Sequence, residues 1–421
     1  MNIRKSLILL ALSACSSVVL AQQDLTDSEE PFDSIQADLL LPDSVAIDSL
    51  LPWDQAIVAK LDRCVQAPLL ETTQAAIMVW DLDADSAIYC FNHRQLMRPA
   101  STEKLLTAIT AIDRLGGSHQ FKTELAYTGS IDNHTLNGDL HCIGGMDPRF
   151  NGDDLNAFVE SVRRMGIDTI RGGLVADRSF KESATLGEGW CWDDDNPVLS
   201  PLLINREDNL LERFEALLLK AKITIIPTTT TKPGRRAPVP KKICTRFHTV
   251  DQILMKMMKD SDNLYAESMF YQIAAADGNR PATAKNAATI IKRLITKLGL
   301  DASQYYIADG SGLSLYNYVS AELETMFLRH AYRNENIYIH LYPSLPIAGV
   351  DGTLKNRLKN TFTQGNVRAK TGTLSRVITL AGYCKAANGH TLCFTILNQG
   401  IRKASMARQF QDRVCQILCE P

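Results

Sequence analysis

The stretch Pro99-Ala100-Ser101-Thr102-Glu103-Lys104-Leu105-Leu106-Thr107-Ala108 limits what this chain can fold into more than any other. Leu105, Leu106, Ala108 and Ile109 fall at helical spacing behind Pro99. The segment therefore reads as the start of a buried helix that runs to about Leu115 and ends at Gly116-Gly117. Ser101 then lies in the first turn, where unpaired backbone N–H groups and the helix dipole favour negative charge. Lys104, three residues on, shares its face and reaches the Ser101 hydroxyl. A serine hydroxyl is a poor nucleophile until a base takes its proton, and a lysine amine can be that base once its pKa is pushed down. The pair is a candidate acyl-transfer centre.

The 421 residues suffice for two or three domains, and a formal net charge of −2 gives no argument for a nucleic-acid partner. The first residues read as an export signal, with Arg4 and Lys5 ahead of an apolar run from Leu7 to Leu12. Two cleavage readings stay open. Val19-Leu20-Ala21 suits an ordinary signal peptidase, giving residues 1–21 as the signal, while Leu12-Ser13-Ala14-Cys15 resembles a bacterial lipobox that would leave Cys15 acylated. Either places the mature chain outside the cytoplasm, in the periplasm or anchored to a membrane. Residues 22–51 follow as a solvated, disordered tether, with eight acidic side chains and no Lys or Arg between Gln22 and Leu50.

Further along, Trp53–Val65 looks helical, and Ala75–Leu82 and Ser86–Asn92 look like strands around a turn. From about 118 to 244 short strand-like runs alternate with turns, at Lys122–Tyr127, Thr135–Cys142 and Thr169–Ala176, which reads as a strand-rich domain inserted into the first. Helical periodicity resumes in Val250–Lys259, Leu264–Ala275, Ala284–Leu298 and Ala321–Tyr332. Val367–Thr373, Val377–Lys385 and Thr391–Asn398 read as consecutive strands and Ile401–Leu418 as a closing helix. Asn388-Gly389 suits a two-residue hairpin turn, which would set Cys384 opposite Cys393 as a disulfide or as two buried thiols on one face. Cys-x-x-Cys is absent from the sequence and its eight histidines lack ligand spacing, so neither metal nor cofactor is expected.

Two more motifs join the first. Ser261-Asp262-Asn263 sits between two helices, with a hydroxyl able to relay a proton and an amide able to hold a peptide carbonyl. Lys370-Thr371-Gly372-Thr373 lies on a strand, where Gly372 would let a substrate backbone approach and Lys370, Thr371 and Thr373 would bind a carboxylate. This ordered trio is known from class A β-lactamases and penicillin-binding proteins. With Gly144–Pro148, Gly189–Asp194, Asp309–Ser314 and Leu345–Leu354, the chain resembles the type-4 penicillin-binding protein family of D-alanyl-D-alanine carboxypeptidases from about Trp53 to Leu418.

The resemblance implies an α+β penicillin-binding transpeptidase-like domain at 52–117 and 245–421, an antiparallel sheet flanked by helices plus a helical subdomain, split by the insertion at 118–244. It implies hydrolysis of peptidoglycan stem peptides ending in D-Ala-D-Ala, often also of cross-links, through an acyl-enzyme on Ser101 that β-lactams can also form. Lys104 would be the base, Ser261 the proton relay, Asn263 and Lys370 catalytic partners, and the Ser101 and Thr373 N–H groups the oxyanion receivers. Thr371, Gly372, Thr373, Trp190, Asp193, Ser311 and Leu313 would line the substrate site. The chain departs from the family at Leu315, where members carry Arg, which puts side-chain preference in doubt. Its insertion is also compact, with 156 residues between Lys104 and Ser261. A β-lactamase or esterase on the same scaffold and a slow-turnover β-lactam or peptidoglycan sensor are the alternatives; oligomeric state is not legible.

Overall fold

The computed structural model describes residues 51–192, 196–227, 239–278 and 280–420. The export signal, Cys15, the acidic tether up to residue 50 and Asp193 lie outside the described residues.

Strand β1 (Gln74–Asp81) and strand β2 (Ser86–Phe91) pair antiparallel. The middle of the chain supplies β3 (Gln120–Tyr127), β4 (Ser130–Asp132), β5 (Thr135–Asn137), β6 (Leu140–Ile143), β7 (Thr169–Arg171), β8 (Leu174–Asp177), β9 (Thr224–Ile226) and β10 (Lys241–Thr249). The C-terminal part adds β11 (Arg368–Leu374), β12 (Val377–Lys385) and β13 (Thr391–Gln399). β1, β2 and these last three make one five-stranded antiparallel sheet in the order β11-β12-β13-β1-β2, which leaves β11 at an edge.

Both faces of that sheet are covered, which is why β12 and β13 read as nearly unbroken apolar runs. Cys393 and Leu397 point into one core with the helices Glu103–Leu115, Asn263–Ala275 and Ala321–Arg333. Phe394 and Ile396 point into a second core with Trp53–Cys64 and Ala404–Cys419. All ten residues from Glu103 to Ile112 are buried. Leu105, Leu106, Ile109 and Ile112 each contribute about 1.5–3 kcal/mol by leaving water, which holds the helix against the sheet.

The middle segment builds two four-stranded sheets, β10-β3-β6-β8 and β4-β5-β7-β9. It is strand-rich only in part. The helices Gly152–Arg164 and Leu210–Lys220 pack Phe158 and Phe214 into a third core, and the first starts at a capping box formed by Asn151 and Asp154. The expected strand at Thr135–Cys142 breaks in two at Gly138-Asp139, and that at Thr169–Ala176 breaks at Gly172-Gly173.

The hairpin register corrects the cysteine pairing. β12 pairs with Cys384 opposite Leu392 and Tyr383 opposite Cys393. Asn388-Gly389 is not a two-residue turn; Ala386 N–H reaches the His390 carbonyl (2.9 Å), so one more residue sits in the loop. A one-residue slip sends the two side chains to opposite faces, Cys384 into one core and Cys393 into the other. Both are free thiols.

Candidate active site

Ser101 sits in a short 3-10 turn, Ala100–Thr102, that feeds the Glu103–Leu115 helix. Ala100 before it is held at φ 48, a left-handed conformation costly for a residue with a Cβ. Three supports hold this turn. Thr379 Oγ1 on β12 donates to the Pro99 carbonyl (2.7 Å), and Thr102 Oγ1 bonds the same carbonyl (2.7 Å) and Glu324 (2.6 Å). Gly312 is pressed on it from above: a Cβ there would lie 1.8 Å from the Ala100 carbonyl oxygen.

Lys104 Nζ lies 3.0 Å from Ser101 Oγ and donates to Asn263 Oδ1 and the Ser311 carbonyl, both at 2.7 Å. Fully buried, its amine is lowered to about 8 by loss of solvation, against the pull of Asp309, Glu267, Asp262 and Glu103 toward the charged form. Burial is the leading cause.

The second motif enters at the start of the Asn263–Ala275 helix, capped by Asp262, whose carboxylate also pairs with Arg206 at 2.6 Å. Ser261 adopts φ 59, and its hydroxyl accepts from Lys370 Nζ at 2.8 Å. Lys370 is fully buried, also donates to the Thr371 carbonyl (2.7 Å), and is held well below the ordinary lysine value by burial and then by the charge of Lys104. The three motifs, distant in sequence, thus come together as two hydrogen-bonded groups, Ser101–Lys104–Asn263 and Ser261–Lys370, joined by the 261–263 segment.

β11 presents the third motif at the sheet edge. Ala369 N–H and the Val367 carbonyl bond outward to Pro346 and Ala348, so by strand parity the backbone groups of Thr371 and Thr373 also face off the sheet. Thr371 is half-buried, with Oγ1 donating to Thr353 at 2.7 Å, and Thr373 is exposed. Gly372 does something other than expected. A Cβ there would lie 2.1 Å from Thr379 Oγ1 and 2.9 Å from Ser101 N, so the space it leaves is filled by Thr379 and the Ser101 turn.

Trp190 and Ser311 are likewise committed to the protein. The Trp190 indole donates to Asp309 Oδ2 (2.8 Å), and Asp309 also receives Gly312 N–H, Ser314 N–H and the Asn317 amide, so it organises the whole 309–317 loop. Ser311 is buried and offers Lys104 its carbonyl; Leu313 is half-buried in the same loop. Leu315 is 45% exposed, and its carbonyl accepts from Arg98 Nε at 2.9 Å.

Sequence reasoning missed the acids beneath the site. Glu103, Glu267 and Glu324 are at most 1% exposed, each in a stretch where an acid finds no water. Glu267 and Glu324 are raised to about 8, chiefly by burial. Charged residue types inside otherwise apolar helical runs were the available signal.

The chain matches the D-Ala-D-Ala carboxypeptidase 3 (S13) family over residues 57–204 and 243–420. It is 26% identical to the D-alanyl-D-alanine carboxypeptidase of Actinomadura sp. (strain R39), over 81% of this chain and 80% of that protein. Its structure resembles the crystal structure of penicillin binding protein 4 (dacB) from Haemophilus influenzae, with a TM-score of 0.73 and 24% identity over 85% of this chain and 98% of the other. A predatory peptidoglycan endopeptidase from Bdellovibrio bacteriovorus shares the fold at a TM-score of 0.55 and 18% identity, over 82% of this chain and 92% of the other.

Proposed function

The chain belongs to the D-Ala-D-Ala carboxypeptidase 3 (S13) family and is a serine-type hydrolase of that class; from this premise we propose how its own residues carry the reaction. The observation that bears the proposal is the 3.0 Å contact between Ser101 Oγ and a buried Lys104 amine whose other two bonds go to acceptors only.

A stem peptide adds to the open edge of β11, and its terminal D-Ala carboxylate is received by the Thr371 and Thr373 hydroxyls with Lys370 behind them. That incoming anion favours the charged form of Lys370 and reverses part of the depression burial imposes. Lys104 in its neutral form takes the Ser101 proton, and Ser101 Oγ attacks the penultimate D-Ala carbonyl carbon. The N–H groups of Ser101 and Thr373 receive the oxyanion, a contact worth about 3 kcal/mol per donor. When the C–N bond breaks, Ser261 passes a proton to the departing amine, drawing on Lys370 at 2.8 Å. Lys104 then returns its proton to the Ser261–Lys370 pair, which restores both lysines; water attacks the serine ester, and Lys104 takes the water proton and delivers it to Ser101 Oγ as the ester bond breaks. Asn263 orients both Lys104 and the peptide amide.

Cleavage of a cross-link uses the same steps, the leaving amine then belonging to a second stem peptide, and we include this endopeptidase activity in the proposal. β-Lactams acylate Ser101 as mimics of the same peptide. The basic pair ahead of an apolar run at the N-terminus supports export to the periplasm, with Cys15 as a candidate lipid anchor. The test incubates the protein with a pentapeptide and with cross-linked muropeptides. D-Ala release and dimer cleavage are expected, both abolished in Ser101→Ala; full activity in that variant would overturn the assignment.

A further inference from the structure

We propose that Glu267 is a positioning residue for the Ser101–Lys104 pair: from inside the Asn263–Ala275 helix it holds the Gly310–Ser311 backbone so that the Ser311 carbonyl grips the Lys104 amine, and its charge opposes release of the Lys104 proton. The inference deepens the reading above and rests on Lys104 acting as the base.

The geometry has two arms. Asn263 and Glu267 lie four residues apart, hence on one face of the helix. Asn263 reaches Lys104 directly, at 2.7 Å. Glu267 reaches it through the loop: Oε1 accepts Gly310 N–H at 3.0 Å, the Ser311 hydroxyl bonds the same carboxyl, and the Ser311 carbonyl accepts from Lys104 at 2.7 Å. Thr107, from the Lys104 helix, donates to the Gly310 carbonyl at 2.8 Å, so the crest of the loop is clamped between the two helices. The fit is close, since a Cβ on Gly310 would lie 2.5 Å from Phe270 Cβ on the same helix. Every residue from Leu264 to Ala274 is buried, so no solvent holds Glu267 in place of these bonds. A carboxyl in such a helix is costly unless its partners use it.

The electrostatics give the arrangement a pH signature. Lys104 is faced by Glu103 from its own helix, by Asp262 and Glu267 from the next, by Asp309 from the loop and by Lys370 from β11. Glu267 is faced by Asp309, Lys104 and Glu103, and also acts on Lys181 and Tyr271. Burial moves the amine down and the carboxyl up, each to about 8, so the two lose protons over one shared range. Ionised Glu267 stabilises the ammonium and delays its conversion to a base.

The test measures D-Ala release against pH for wild type, Glu267→Gln and Glu267→Ala, with Ser101→Ala as the blank. Glu267→Gln keeps a carbonyl for Gly310 N–H and removes the charge. Its acid limb in kcat/KM is expected to move to lower pH by about half a unit or more. Glu267→Ala drops the loop, and kcat is expected to fall about tenfold or more with KM little changed. An unmoved acid limb in Glu267→Gln overturns the inference, as does full kcat in Glu267→Ala. If the alanine variant does not fold, the glutamine profile decides alone. If wild type releases no D-Ala, the functional reading fails and takes this inference with it; a working wild type with unresponsive Glu267 variants sinks the inference only.

Discussion

A single missing methyl group at Gly372 sets the distance between the strand that would receive substrate and the serine that would attack it. Gly372→Ala must push either Thr379 or the Ser101 turn aside, because an ideal Cβ would sit 2.1 Å from Thr379 Oγ1. We expect labelling by a fluorescent penicillin to slow at least about a hundredfold. The loss of stability should be about 1–3 kcal/mol, read by thermal denaturation. Labelling at the wild-type rate would mean the turn has slack that the structure denies it. Lys104 offers a second check. Only the neutral amine can take a proton, and burial sets its pKa to about 8. Acylation should therefore accelerate as pH rises toward that value and level off above it. Lys104→Ala should abolish this dependence along with most of the rate, as stopped-flow labelling across pH 6–9.5 would show (about four orders of magnitude is the scale for such a base). The residues proposed for this chemistry were legible because they come as compact motifs. Glu267 and Glu324 were not, because a lone acid in a helix looks the same in sequence whether it meets water or another side chain.

Among the larger elements, periodicity located the helices at 53–64, 250–259 and 321–333 and the strands of the five-stranded sheet to within a residue or two. Those are long, and their apolar pattern follows directly from which face they bury. The helices at 152–164 and 210–220 were missed inside a region read as strands and turns, and Glu335–Ser344, which carries Pro343 near its end, was not read as a helix. The hairpin after β12 shows how one loop residue decides chemistry. Peptide mapping without reductant should find no Cys384–Cys393 cross-link, since the two thiols lie on opposite faces of the sheet; recovering that peptide would refute the register. The Trp190 segment ties the middle of the chain to the 309–317 loop. Trp190→Phe keeps the ring and removes the N–H that Asp309 accepts at 2.8 Å. A loss of about 1–2 kcal/mol from that bond predicts a roughly 5- to 30-fold fall in kcat/KM with D-Ala release as the readout. An unchanged value would limit Trp190 to packing.

Across the whole molecule, the buried acids make stability depend on pH in an unusual direction. Glu103, Glu267 and Glu324 all have folded-state values raised above the ordinary 4.5, Glu267 and Glu324 to about 8, so above pH 4.5 the folded chain binds more protons at these three sites than the unfolded one. The contribution of Glu267 and Glu324 is fully present below pH 4.5 and is lost as pH climbs through about 8. Lys104 and Lys370 act with the opposite sign, and Lys104 does so only above about 8. Thermal midpoints should therefore fall from pH 5.5 to pH 8, and Glu324→Gln should flatten that slope; a midpoint that rises over this interval would contradict the raised values of these buried acids. The contact between Gly372 and the serine turn reaches further, into how bacteria could escape a drug. Any side chain that wedged the edge strand away from Ser101 to shut out an antibiotic would also shut out the cell-wall peptide that the antibiotic imitates. On the proposed reading, a variant that loses β-lactam labelling at this contact is expected to lose D-Ala release with it.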